Sequence, residues 1–253
     1  MGGIHTEPIL EASVVAGKAV LATVVLSLAA ATWAQEEAEE EEPWSGALSL
    51  GYLSTSGNTE TTSYNTKFEI VREEDNWKHR LNGSANGAED TSGLTAEAYQ
   101  LGWRTDYNIT DKGSVFGTVD WRKDRFAGIT EQMSYAVNYG RTLIDTETHV
   151  LALGVGAGYR EADRSDGTNE TSAIGRGNLA YDWHWSETSG FDQGLIVESG
   201  NGNTYIESVS AIRARLFGEF NLVLSYTIKR NSDVPVGAEK TDTQTAISIE
   251  YAF

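Results

Sequence analysis

Cysteine is absent from the chain, and only three of its 253 residues are proline. Without cysteine there is no disulfide framework, no thiolate zinc site and no thiol nucleophile. Basic residues are scarce too: 19 Lys and Arg stand against 37 Asp and Glu, a net charge of −18. A phosphate backbone repels such a chain, which argues against nucleic acid as a partner. Long helical periodicity is also missing from Trp44 onward. What the chain has is 26 Gly, 11 Tyr and 7 Trp, a mix that favours strands and tight turns. Its length allows one large barrel or one or two ordinary domains.

The N-terminal segment reads as an address. Lys18 precedes an apolar run over 19–34, AVLATVVLSLAAATWA, which ends in small residues. A basic residue, a short apolar stretch and a small-residue cut describe a secretory signal peptide. The expected cut follows Ala34, with Thr32 at the minus-three position. The run falls short of the roughly 20 residues of a spanning helix; an uncleaved anchor is the competing reading. Residues 1–17 are long and polar for a signal, as a start codon placed too early would explain. Residues 35–43 then form an acidic spacer with six Glu between Glu36 and Glu42. Such a block repels itself and stays solvated; a cation- or partner-binding tail is the alternative.

From Trp44 to Phe253 the pattern has period two. In the last run Thr243, Thr245, Ile247, Ile249, Tyr251 and Phe253 share one face, against Asp242, Gln244, Ala246, Ser248, Glu250 and Ala252. About twelve such runs are expected, near 44–54, 61–72, 77–88, 96–108, 114–126, 131–143, 149–160, 171–185, 190–199, 204–216, 218–230 and 241–253. Connectors alternate between short turns and mostly longer Gly-, Asn-, Asp- and Ser-rich segments such as 89–95. Runs of this length exceed the five or six residues of an ordinary strand and match tilted membrane strands. The expected fold is therefore all-β, an antiparallel transmembrane barrel of about twelve strands over 44–253, with both termini on the short-turn, periplasmic side. Aromatic residues fall toward the two ends of the runs, as two interfacial belts require. Phe126 and Tyr205 are out of phase with that arrangement.

Three segments carry a family resemblance: GNTET at Gly57–Thr61, NSDVPVGAEKTDT at Asn231–Thr243, and the terminal YAF. Together they make the chain from about 44 to 253 resemble the salt-induced outer-membrane proteins, the YdiY-like group, which carries a domain of unknown function. The resemblance implies bacterial outer-membrane placement and a link to osmotic stress. It brings no catalytic residues. Tyr251 and Phe253 also resemble the C-terminal signal read by the barrel-assembly machinery. The partners expected are that machinery and outer-membrane lipids, with the barrel a monomer.

No catalytic, metal or cofactor site is expected. His149 sits at a turn and His184 faces inward near Asp182. His79 lies on the apolar face beside Trp77, and it alone motivates a lipid-acting enzyme, with no serine assigned nearby to complete a nucleophile pair. The lumen is more informative. Its expected charges include Arg104, Arg122, Arg176, Arg213 and Arg215 on the basic side. Asp106, Asp120, Asp182, Glu198 and Glu207 are expected on the acidic side. They line either a selective pore for ions or small solutes, or a nearly closed barrel filled by ion pairs. Gly154, Gly156 and Gly158 either make room on one wall or permit bending. Symmetric pairing about Phe217 and Gly218 sets Arg215 opposite Glu219 and Arg213 opposite Asn221.

Overall fold

The structure is a computed structural model that describes residues 43–55, 61–125, 129–234 and 239–253. The expected signal segment and its cut after Ala34, the spacer up to Glu42, Gly57–Glu60 of the GNTET motif, and Phe126 lie outside the described residues. So do residues 235–238.

Every regular element among the described residues is a strand, and there are twelve. They are β1 (Trp44–Thr55), β2 (Thr61–Glu74), β3 (Trp77–Asp90), β4 (Gly93–Thr110), β5 (Gly113–Asp124) and β6 (Ile129–Asp145). The second half comprises β7 (His149–Arg164), β8 (Asn169–Ser186), β9 (Ser189–Gly200), β10 (Asn203–Phe217), β11 (Phe220–Asn231) and β12 (Thr241–Ala252). Each pairs antiparallel with its neighbours in the chain, and β1 closes on β12 to complete the ring. The closing seam is short, running from Ala47 opposite Ala252 to Leu50 opposite Ile249. It is extended by a reciprocal backbone pair, Gly46 N to Phe253 O at 2.8 Å and Phe253 N to Gly46 O at 2.9 Å.

The faces are inverted relative to a water-soluble domain. Along β6 the inward positions Gln132, Ser134, Ala136 and Asn138 are buried, while Tyr135, Val137 and Tyr139 between them are exposed. A soluble sheet would bury the Val and Tyr face. Here the apolar face is the outer surface and the polar face fills the interior, as a barrel in lipid demands. Alternation on every strand therefore makes a wall with a polar inside, whatever the individual residues are.

Turns set the register. At one end β2–β3, β4–β5, β8–β9 and β10–β11 are joined by two residues each and β6–β7 by three. The opposite, loop end carries the longer connections, with two exceptions. The expected loop over 89–95 shrinks to the two-residue turn Thr91 and Ser92, because β3 and β4 continue pairing to Asp90 opposite Gly93. Asn201 and Gly202 make the other tight turn, with φ of 39° and 82°, the left-handed pair that a two-residue hairpin favours.

The expected pairing of Arg215 with Glu219 is overturned. The turn is Gly218 and Glu219, flanked by Phe217 opposite Phe220, and a bulge between Arg215 and Phe217 shifts the ladder. Arg215 therefore faces Asn221 and Arg213 faces Val223. The extra residue of a bulge is invisible to symmetric counting about a turn.

Candidate functional site in the barrel lumen

Inward-facing side chains divide the lumen into a filled loop-side half and an open short-turn half. The filled half is crossed directly. Gln100 on β4 and Glu207 on β10 stand six strands apart in a ring of twelve, and Gln100 Nε2 donates to Glu207 Oε2 at 3.1 Å. The Tyr205 hydroxyl donates to the same carboxylate oxygen. Tyr205, out of phase in the sequence pattern, is in register. It points inward, 4% exposed, with the Arg122 guanidinium 3.5 Å above its ring centre. This cation–π contact gives the buried arginine an apolar surface to lie on.

A charged chain continues from Arg122. Its Nη2 donates to Glu198 Oε2 at 3.1 Å, and with its amide oxygen turned inward Gln132 accepts from Arg122 Nη2 and Nε at 2.5 and 3.0 Å. Arg176 Nη1 reaches Glu198 Oε1 at 3.0 Å and Asp120 Oδ2 at 2.5 Å. Ser134 completes the set by donating to Glu198 at 3.4 Å. Glu198, only 2% exposed, is thus held by two arginines and a hydroxyl. Satisfied on all sides, such a network rigidifies the interior; broken, it leaves buried charge. Above it Arg160, also 2% exposed, donates to the Asn203 carbonyl at 3.4 Å. The spaces left around these groups measure about 20 and 10 Å³, room for a water and no more.

Toward the short turns the lumen opens into a cavity of about 580 Å³, bounded by Arg176 and Glu207 above and by Asp111 and Lys112 at the β4–β5 turn. Arg104 faces it, held in a two-point pair by Asp106 (Nε to Oδ2 2.8 Å, Nη2 to Oδ1 2.5 Å) and lying 3.6 Å over the Phe116 ring. The glycine wall explains Phe116. A Cβ on Gly140 or Gly154 would come within 3.0 Å of that ring, and one on Gly156 would strike Asn138. These glycines make room, but neighbouring side chains take it up. Lower down, Asp182 faces Asp192 across β8–β9. Arg213 offsets that repulsion by binding Asp192, and it binds Glu250 as well (Nε to Oε1 2.7 Å). Arg215 is exposed at the rim and has no ion pair among the described residues.

Six of the side chains around Glu198, Glu207, Arg104 and Arg213 escaped sequence reading: Gln100, Phe116, Gln132, Ser134, Arg160 and Asp192. Alternation marks them as inward. Nothing local says which inward side chains meet across the ring.

On the outer surface the seam carries a continuous aromatic row. Phe217 contacts Phe220 (5.1 Å between centroids), Phe220 contacts Tyr251 (5.2 Å) and Tyr251 contacts Phe253 (6.1 Å). Near the same end His79 stacks with Trp77 at 6.0 Å, and its Nδ1 lies 3.1 Å from Thr105 Oγ1, which also accepts from Trp103 Nε1. Among the described residues no carboxylate orients that imidazole, and no group of three His, Cys, Asp or Glu is placed to hold a metal.

A closed twelve-strand antiparallel barrel with an apolar exterior and a charged, polar-filled interior belongs to the class of porin-like barrels. The chain is a member of the family described as "Protein of unknown function, DUF481", which matches residues 48–253. The "Uncharacterized protein YdiY" of Escherichia coli (strain K12) is 30% identical over 219 residues, covering 86% of each chain. Among solved structures, the NanC porin superposes with a TM-score of 0.50 at 10% identity, over 83% of this chain and 98% of that one. The translocator domain of the autotransporter NalP from Neisseria meningitidis does so with a TM-score of 0.47 at 12% identity, over 95% and 98%. At 10% identity the likeness to the NanC porin is one of fold.

Proposed function

We propose that this protein is a bacterial outer-membrane barrel whose narrow lumen is held shut at rest, with passage of ions or small solutes confined to a state in which the plug has moved. The single observation that carries this is the Gln100–Glu207 contact across the full ring. A direct hydrogen bond between opposite strands divides the lumen at that level, and the spaces beside the plug measure only about 20 and 10 Å³. The apolar exterior and closed ring support membrane placement, with the short turns and both barrel termini on the periplasmic side. Outer-membrane lipids and the assembly machinery are then the partners.

Planar-bilayer recording tests the reading. Refolded wild-type barrel should show no steady conductance, and Gln100→Ala combined with Tyr205→Ala should produce one. A wild-type barrel with steady open-pore currents would refute the shut lumen. Silence of both forms would favour a purely structural barrel, the second reading, which the dense Arg122–Glu198–Arg176 packing supports. A role in salt or osmotic stress rests on the family resemblance. Protein level after a salt upshift tests it, and an unchanged level would count against it. A lipid-acting enzyme gains nothing from His79, which has Thr105 beside it but, among the described residues, no carboxylate to orient it for base catalysis.

A further inference from the structure

The open half of the lumen ends blindly at the plug, so a solute entering from the short-turn end is retained rather than passed. One row of residues inside it is built for a particular ligand. Arg80 on β3, Arg104 on β4 and Thr118 on β5 stand directly opposite one another across adjacent ladders, all facing the cavity. Two like charges directly opposite cost stability in a sheet. Neither guanidinium is fully engaged: Arg80 Nε lies 3.3 Å from Glu69 in an ion pair without hydrogen-bond geometry, and Arg104 uses Nε and Nη2 on Asp106. No hydrogen bond of Arg104 among the described residues runs through its Nη1.

Thr118 supplies the independent observation. It is 7% exposed, and its Oγ1 has no hydrogen-bond partner. A buried hydroxyl left unpaired costs free energy unless something else satisfies it. Thr118 is one of the residues around the same cavity, opposite Arg104. Phe116 fixes the plane of the Arg104 guanidinium from beneath at 3.6 Å, so its Nη1 side is oriented in advance. Planar guanidinium edges match a planar two-oxygen acceptor, and a hydroxyl beside them adds a third donor.

We propose that Arg80, Arg104 and Thr118 form a binding site for the carboxylate group of a small organic acid that enters the barrel from the short-turn end. The site rests on the shut-lumen reading for its retention of ligand but requires no conduction. A cavity of about 580 Å³ admits a metabolite-sized acid and leaves it hydrated toward the mouth. Arg176 and Asp120, already committed to the plug, form its ceiling.

Equilibrium dialysis of the folded barrel in detergent tests this with labelled succinate, its neutral counterpart succinamide, and inorganic phosphate. Succinate should be retained, and succinamide should not. Arg80→Gln should weaken succinate about tenfold, as loss of a charge-assisted contact does. Thr118→Val, which removes a hydroxyl that no protein group uses, should weaken it about threefold. Arg215→Gln, at the rim and outside the row, should change nothing. Slower gel migration after boiling confirms the fold of each form. Equal retention of succinate and succinamide, tighter retention of phosphate, or equal effects of Arg80→Gln and Arg215→Gln would each overturn the assignment. Dialysis reads binding and the bilayer reads passage, so the site and the shut lumen stand or fall separately.

Discussion

Gln100 and Glu207 are 107 residues apart in sequence and six strands apart around the ring, yet their side chains share a hydrogen bond of 3.1 Å. The interior of this barrel is therefore a packed polar core at its loop end. Cutting the contact should show in conductance and also cost about 1.5–3 kcal/mol of stability, as loss of a hydrogen bond to a charged group does. Gln100→Ala alone should give brief openings in bilayer recordings, and adding Tyr205→Ala should lengthen them. Identical silence of both variants would favour the purely structural barrel.

Glu198 is the most loaded residue of the plug. Replacing it with Ala strands Arg122 and Arg176, both buried, and breaking a buried pair costs about 3–5 kcal/mol. Urea unfolding in detergent should show that loss as a lower midpoint. Glu198→Gln keeps the volume and some hydrogen bonding, so it should fall between Ala and wild type. A midpoint for Glu198→Ala equal to wild type would mean water replaces the carboxylate at no cost.

Two glycines make a matched pair. A Cβ on Gly158 would overlap the Tyr135 carbonyl and the Ala136 Cα, backbone atoms that cannot swing aside. Nothing lies within 4 Å of a Cβ on Gly177. Gly158→Ala should lower the yield of folded barrel or its unfolding midpoint, as overpacking does by about 1–3 kcal/mol. Gly177→Ala should be neutral. Equal behaviour of the two would contradict the wall geometry.

Arg213 and Arg215 are two residues apart but differ in company. In the opened Gln100→Ala/Tyr205→Ala barrel, Arg213→Glu places a third carboxylate beside Asp192 and Glu250. Its reversal potential in a salt gradient should move toward cation preference. Arg215→Glu, at the solvated rim, should shift it less. A larger shift from Arg215 would mean the ion path hugs the rim rather than the Arg213 level.

Phe253 closes the outer aromatic row and packs over Gly46, where a Cβ would lie 2.7 Å from its ring. Phe253→Ala should reduce assembled, heat-modifiable barrel in outer membranes while export of the chain continues. Full yield in fractionated cells would count against a C-terminal assembly signal.

Alternation alone determined the class of fold. Residues such as Ile247 and Ile249 against Ala246 and Ser248 alternate with period two, and a strand has no other way to segregate its faces. Twelve repeats of that pattern, with short turns at one end, are legible without any tertiary information. The pattern even told which side of each strand faces inward, Arg122 and Glu198 included. Three things were decided only in three dimensions. Pairing at the β10–β11 turn depended on a bulge that no alternation records. The extent of β3 and β4 past Ala88 depended on ladder pairing rather than on the polar composition of the connection. Closure of the lumen depended on which inward side chains meet across the ring. Barrel curvature and stagger set that, and residues a hundred positions apart carry no local mark of it.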